Sequence, residues 1–179
     1  MILEDAKLLL VENNISFETV EYRDEKEYWH HTMLFPYTKN AKSCKVIGII
    51  IKSNNGKKDI ELQFNESDGE FKFEELRFGD FCFEFFDVLE EMLAEELISN
   101  INEICEGKIA VIVANNLRKK RWIGDAIFDL SDDDDAFGKA GYDKAIQRIH
   151  KPYGFFRDLF KSKIQYEIYD WNSYQCIIK

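Results

Sequence analysis

The sequence predicts an α+β fold with a mostly antiparallel sheet, and three observations support this. Short runs of alternating apolar and polar residues recur through the middle of the chain between turn signals, which is typical of hairpin strands. A segment with apolar residues at helical spacing follows them. Few connections between strands are long enough for crossover helices, which favours antiparallel pairing. We expect one domain over residues 1–179, with a central meander packed by a long amphipathic helix and by shorter N- and C-terminal helices.

The N-terminal part of the chain is predicted to form a helix and then two strands. Residues 2–11 have the apolar content of a short helix, which Asn13-Asn14 ends, and a strand follows over residues 17–23. Residues 28–35 alternate in polarity and are predicted as the next strand, which Pro36 stops.

The middle of the chain carries the clearest local signal. Two β-rich runs, residues 45–52 and 60–65, flank Asn54-Asn55-Gly56, a pattern that indicates a hairpin. Further turns are predicted at Asp68-Gly69 and Gly79-Asp80, each followed by alternating phenylalanines. We therefore expect an antiparallel meander with one polar and one apolar face.

A long helix is predicted to begin at Asp87, because Asp87 and Glu90 have the spacing of a capping box. Gly107 supplies the stop signal. At 100° per residue the apolar side chains cover about half of the circumference. They are Leu89, Leu93, Leu97, Ile98, Ile101, Ile104 and Cys105.

The C-terminal part is predicted to contain four strands and two helices. The strands cover residues 109–114, 122–130, 164–169 and 174–178, and the last two flank an Asn172-Ser173 turn. A helix over residues 131–150 begins at Ser131 and the run Asp132 to Asp135, where acids favour the helix macrodipole. A short amphipathic helix is expected over residues 153–160.

Charge is segregated along the chain, whose net charge is −10. Residues 78–107 contain nine acids and no Lys or Arg, whereas residues 139–163 carry seven bases against two acids. The acidic segment, residues 78–107, either steers a basic partner or forms a solvated helix face. If it binds a partner, we expect the contacts to come from the polar arc of the long helix, at Glu91, Glu95, Glu96, Glu103 and Glu106.

A second group of basic residues, Arg118 to Arg121, directly precedes the aromatic residue Trp122. A nucleic-acid site would use the bases on phosphates and the indole for stacking. Because the chain as a whole is acidic, a charged turn between strands is the favoured interpretation, and no nucleic-acid partner is expected.

The alternative to partner binding is a small-molecule site or an enzyme active site between the sheet and the helices. Its residues would be Tyr28, His30, Tyr37 and Lys39. His30 and His31 would point to opposite faces of a strand, so they would not share a metal ion. We predict no metal site and no cofactor, since the four cysteines are far apart and Asp132 to Asp135 lacks the ligand pattern of a calcium loop.

Several classes of protein are not favoured by the sequence. No apolar run approaches the roughly 20 residues that span a bilayer, and Glu4 and Asp5 stand where a signal peptide would be basic. No nucleophile elbow, phosphate-binding loop or zinc-protease motif is present. We therefore expect a cytoplasmic protein, and the missing motifs favour a non-enzymatic function over the enzyme alternative.

In size, acidity and fold class the chain is similar to bacterial immunity and antitoxin proteins. That resemblance implies a non-enzymatic protein that binds a basic toxin. A self-associating subunit, in which acidic and basic regions pair between copies, is a third hypothesis.

Overall fold

The computed structural model describes residues 1–35, 39–83, 85, 88–130, 146–147, 149 and 163–178. The chain divides into two compact units, residues 1–102 (unit 1) and residues 103–179 (unit 2). The α+β class is confirmed, since helices accompany antiparallel sheets. The strands of the described residues form two sheets, of five and four strands, where the sequence predicted a single sheet.

Unit 1 contains a five-stranded antiparallel meander in which neighbours in the chain are neighbours in the sheet. The predicted hairpins are confirmed, and Asp68 and Gly69 both adopt positive φ, the geometry of a tight two-residue turn. Its elements are α1 (Leu3–Glu12), β1 (Glu18–Tyr22), α2 (Glu25–Thr32), β2 (Val46–Ile51), β3 (Ile60–Ser67), β4 (Glu70–Phe78) and β5 (Phe81–Phe83).

The apolar face of this meander forms a core, because alternate residues of adjacent strands point to the same side. The fully or nearly fully buried side chains on this face are Ile47, Ile49, Ile51, Ile60, Leu62, Phe64, Leu76 and Phe78. The helix α1 contacts β4 and buries Leu3, Ala6 and Leu10, which lie on one side of the helix. Before this helix, Ile2 forms an isolated bridge with Lys72.

The predicted strand over residues 28–35 is wrong, because residues 25–32 form the helix α2. Asp24 is its N-cap and accepts a hydrogen bond from the Glu27 amide at 2.8 Å, while the Glu27 carboxylate accepts one from the Arg23 amide at 2.7 Å. The first bond satisfies an amide that the first turn of the helix leaves free, and the second fixes the residue before the N-cap in a variant of the capping box. His30 and His31 lie in the last turn, where cations suit the helix macrodipole.

A β-bulge interrupts the pairing of β3 and β4. Gln63 pairs with Glu75, but the next pair is Phe64 with Phe73, so Glu74 is the extra residue. The bulge returns Phe73 to the apolar face and turns Glu74 outward, where its carboxylate pairs with the Lys42 ammonium at 2.5 Å.

The third helix, α3 (Leu93–Cys105), begins six residues later than predicted. The expected capping residue Asp87 lies outside the described residues, and Glu90 lies in a turn before the helix. The predicted stop at Gly107 is confirmed. Gly107 has a φ of 70°, its amide donates to the Ile104 carbonyl, and the Lys108 amide donates to the Glu103 carbonyl. This pair of bonds is a Schellman cap.

Unit 2 contains a four-stranded antiparallel sheet in the order β7-β6-β8-β9. Its strands are β6 (Ile109–Asn116), β7 (Arg121–Asp129), β8 (Ile164–Tyr169) and β9 (Tyr174–Ile178), which confirms the four strands predicted. One face packs around Ile112, Tyr166, Ile168 and Ile149. A side chain at Gly124 would approach the Ile149 Cγ2 to 3.2 Å, so the glycine permits close packing there.

The two predicted C-terminal helices fall mostly outside the described residues. Within the first of them, residues 146, 147 and 149 are helical. The predicted helix over residues 153–160 is not among the residues described.

Candidate binding surface

The five predicted contact acids are all exposed. In unit 1, Glu95 and Glu96 lie in the first turn of α3, and Glu91 lies in the turn that precedes the helix. In unit 2, Glu103 lies in the last turn of α3 and Glu106 follows the helix. Acids at a helix N-terminus are favourable, but an acid in the last turn is not, because the carbonyl ends carry partial negative charge there.

Ion pairing leaves most of these carboxylates uncompensated. Glu106 pairs with Lys108 at 2.5 Å. For Glu91, Glu95, Glu96 and Glu103 no Lys or Arg within the described parts of the chain comes within the 4 Å of an ion pair. Nearby Glu90 lies 3.9 Å from the amino group of Met1. The start of α3 is therefore a region of strong negative potential on unit 1.

A groove lies beside these acids, between α1 and the start of α3. It has a volume of about 340 Å³ and lies wholly within unit 1. Its apolar surface comes mainly from leucines of both helices, and the charged groups found among its described lining residues are acids and the Met1 amino group. The lining residues are Met1, Asp5, Leu8, Leu9, Glu12, Glu90, Leu93 and Ala94.

The groove uses the side of α1 that faces away from the core. Asp5, Leu8, Leu9 and Glu12 have the spacing i, i+3, i+4, i+7, which places them along one stripe of a helix. The opposite stripe, Leu3-Ala6-Leu10, is buried. The sequence analysis treated the apolar residues of 2–11 as one surface and did not separate the two stripes. The signal was present, since Leu8 falls outside the stripe of the buried residues.

The residues predicted for a small-molecule pocket are placed differently from one another. Tyr28, a residue of α2, is fully buried, whereas His30 on the same helix is exposed. Two residues apart on a helix are about 200° apart around its axis, so these side chains do not face each other. Lys39 is exposed in a turn, and Tyr37 lies outside the described residues.

The polar face that the sequence predicted for the unit 1 meander is partly buried, because α2 packs against β1 and β2 on that side. The Glu25 carboxylate, 3% exposed, accepts a hydrogen bond from the Asn65 side-chain amide at 2.6 Å and one from the Lys42 backbone amide at 2.6 Å. The Gln63 side-chain amide donates to the Asn65 side-chain oxygen at 2.8 Å. These bonds satisfy polar groups that would be costly to bury unpaired.

Burial perturbs the titration of three neighbouring groups on this face. Burial raises the pKa of Glu61 to about 7, and the Asp59 carboxylate adds to the rise while the Arg77 guanidinium opposes it. Burial likewise raises the pKa of Tyr22 to about 12 and that of Tyr28 well above its usual range. The two tyrosine rings meet edge to face at 5.3 Å. All three groups are therefore neutral in the folded protein at mildly acidic pH.

A second buried charge centre lies at the β4–β5 end of the same sheet. The buried Arg77 guanidinium pairs with the Glu75 carboxylate, and the Cys82 thiol donates to Glu75 at 3.2 Å. Although burial opposes the charged form, the Glu75 carboxylate raises the pKa of Arg77 above its usual value. Arg77 is buried while Glu75 and Cys82 are half-buried, so the Glu75 carboxylate compensates the buried guanidinium charge.

The basic segment of unit 2 forms the turn between β6 and β7, as the sequence predicted. Arg118 to Arg121 are exposed, Lys120 adopts a φ of 47°, and Trp122 is 41% exposed at the start of β7. The exposed Trp122 indole therefore follows four basic residues at the turn between β6 and β7.

The described residues contain no group of three or more His, Cys, Asp or Glu side chains arranged to hold a metal ion. None of the helices in that part of the chain has the length and apolar character needed to cross a bilayer.

Compared with known proteins, the chain matches no family model, no curated protein and no solved structure at a significant level.

Proposed function

We propose that this chain is a non-enzymatic protein-binding domain that recognises a basic partner protein through the acids at the start of α3. The observation that carries the proposal is the exposure of Glu91, Glu95 and Glu96 without ion-pair partners among the described residues. Exposed acids of one sign attract a basic partner over distance and raise its association rate. Glu103 and Glu106 are proposed as further contacts.

The clustering of these acids supports a binding role. Exposed like charges repel one another, and the repulsion is strongest at low salt. Glu91 in the turn before α3 and Glu95 and Glu96 in its first turn have no Lys or Arg within ion-pair distance among the described residues. A partner with Lys and Arg side chains would remove this repulsion on binding.

The immunity-like form of this proposal makes the partner a basic toxin, which the domain would inhibit by covering it. The small-molecule and self-association hypotheses remain alternatives. A dimer that dissociates as salt is raised, observed by light scattering, would favour self-association.

The test measures association with a partner isolated from a native cell extract. A triple variant, Glu91→Lys with Glu95→Lys and Glu96→Lys, is expected to lower the association rate constant by about tenfold or more at low salt. It is also expected to flatten the dependence of that rate on NaCl, because the steering charges are gone.

A matched control changes the net charge by the same amount at another place on unit 1. Glu21, Glu66 and Glu70 are exposed acids of β1, β3 and β4, and reversing them to Lys is expected to have a much smaller effect on the rate. If the two triple variants slow association equally, or if neither does, the proposed surface is wrong.

A further inference from the structure

We propose that the groove between α1 and the start of α3 receives the apolar side of a basic amphipathic α-helix from the partner. This inference rests on the proposed function, and it names the kind of segment that the acidic surface would recruit. It depends on three properties of the groove: its exposed apolar surface, its charge and its shape.

The apolar surface of the groove is exposed beyond what folding requires. Leu8 is 59% exposed although α1 already has a buried stripe that packs on the core. On the other wall, Leu93 and Ala94 line the groove, and the preceding Leu89 and Met92 are 60% and 52% exposed. Leu8 lines the groove itself, whereas Leu89 and Met92 adjoin its lining residues Glu90 and Leu93 in the sequence. Single exposed apolar residues are common, but several grouped in one region are typical of an interaction site.

The charge of the groove selects a cationic occupant. Of its lining residues that the structure describes, three are acids, Asp5, Glu12 and Glu90, and none is Lys or Arg. The cation found at the lining among these described residues is the Met1 amino group, 3.9 Å from Glu90. Glu91, Glu95 and Glu96 do not line the groove, but they are exposed acids within three residues of Leu93 and Ala94 in the sequence and add negative charge at this end of α3. A segment with an apolar stripe flanked by Lys and Arg therefore matches both the apolar residues and the acids of the groove.

The shape of the groove favours a helix over an extended strand. An added strand needs an unpaired strand edge, whereas both described walls of this groove are helical or lead into a helix. The stripe from Asp5 to Glu12 spans two helical turns, a rise of about 10 Å. A guest helix would therefore place two or three apolar anchors at positions i, i+3 or i+4, and i+7.

Two synthetic peptides of leucine and lysine, each about 18 residues or five helical turns long, test this inference. One places leucine along a single helical stripe, and its isomer of identical composition distributes leucine around the helix. Binding to the full chain at about 0.15 M NaCl is followed by fluorescence anisotropy, and peptide helicity by circular dichroism. We expect the striped peptide to bind about tenfold more tightly and to gain helix on binding.

Variants of α1 locate the binding site. Leu8→Gln, which lines the groove, is expected to weaken binding of the striped peptide by about tenfold. Val11→Gln is the matched control, since Val11 is 62% exposed on the same helix but does not line the groove. We expect it to stay within about twofold of the unmodified chain.

The outcomes separate the groove from the acidic surface. Equal binding of both peptides, no effect of Leu8→Gln, no gain of helix or no binding at all would each overturn the groove inference. If the triple Lys variant abolishes binding of both peptides while Leu8→Gln has no effect, the acidic surface stands and the groove does not. If Leu8→Gln weakens binding but the triple Lys variant has no effect, the groove inference stands and the proposed acidic surface fails.

Discussion

At the scale of single residues, the unusual group in unit 1 is Glu61, a mostly buried carboxyl on the sheet face under α2. Burial holds its pKa near 7, well above the 4.5 of an exposed glutamate. Between these two values the folded chain binds a proton that the unfolded chain releases. The contribution of this group to stability is therefore fully present below pH 4.5 and is lost as the pH rises through 7.

Glu61→Gln removes this titration while keeping the size and polarity of the side chain. We expect the variant to gain stability relative to the unmodified chain as the pH rises from 5 to 8, by on the order of 2 kcal/mol. Urea unfolding at both pH values measures the change. Because other groups titrate in both proteins, only the difference between them is informative, and a difference that does not vary with pH would contradict the prediction.

At the scale of elements, α2 shows where sequence reasoning failed and why. This helix covers a polar sheet face, so it lacks the apolar stripe at helical spacing that identifies most surface helices. Its buried residues include Glu25 as well as Tyr28. The local start signal, Asp24 with Glu27 three residues later, was a better guide than the alternation of polarity over eight residues.

Asp24→Ala removes the N-cap of α2 and is expected to cost about 1 kcal/mol of folding stability, because the Glu27 amide loses its acceptor. Asp24→Asn keeps an oxygen acceptor and is expected to cost much less. Chemical denaturation of the two variants provides the measurement. Equal losses would show that the charge of Asp24 matters more than its hydrogen bond.

Elements with their own local signal were predictable from the sequence. The hairpin turns contain Gly and Asn or Asp at positions that require positive φ, as at Asp68-Gly69. The end of α3 was predictable from Gly107. The start of α3 was not, because the apolar pattern extends through Leu89 while the helix begins only at Leu93.

The candidate site was predictable only in part. The acids at the start of α3 could be identified because polar positions on a periodic helix face outward. The groove could not, since it depends on Leu8 and Leu93, which are distant in sequence and lie together only in the folded unit. The burial of Glu61 was also hidden, because it requires knowledge of the helix that covers the sheet.

At the scale of the whole molecule, the net charge of −10 opposes compact folding through self-repulsion. The uneven distribution of charge increases this repulsion locally, since residues 78–107 contain nine acids and no Lys or Arg. Salt screens exposed charges, and the screening length falls from about 30 Å at 0.01 M to about 8 Å at 0.15 M.

We therefore expect the midpoint of thermal unfolding at neutral pH to rise by a few degrees when NaCl is raised from about 0.01 to 0.15 M. Replacing Glu103, an acid in the last turn of α3 with no ion-pair partner among the described residues, by Gln should raise the midpoint at low salt and reduce its dependence on salt. Differential scanning calorimetry measures both effects. A midpoint that falls with salt would mean that attractive ion pairs outweigh the repulsion.

The polar attachment of α2 has a consequence for the way this helix moves. Apolar contacts are non-directional and tolerate small sliding steps, whereas a hydrogen bond weakens steeply when its geometry changes. The bonds from Asn65 and Lys42 to the Glu25 carboxylate hold the helix at one position along the sheet. Motion of α2 is therefore expected to be a release of the whole helix, since intermediate positions would leave a buried carboxylate unpaired.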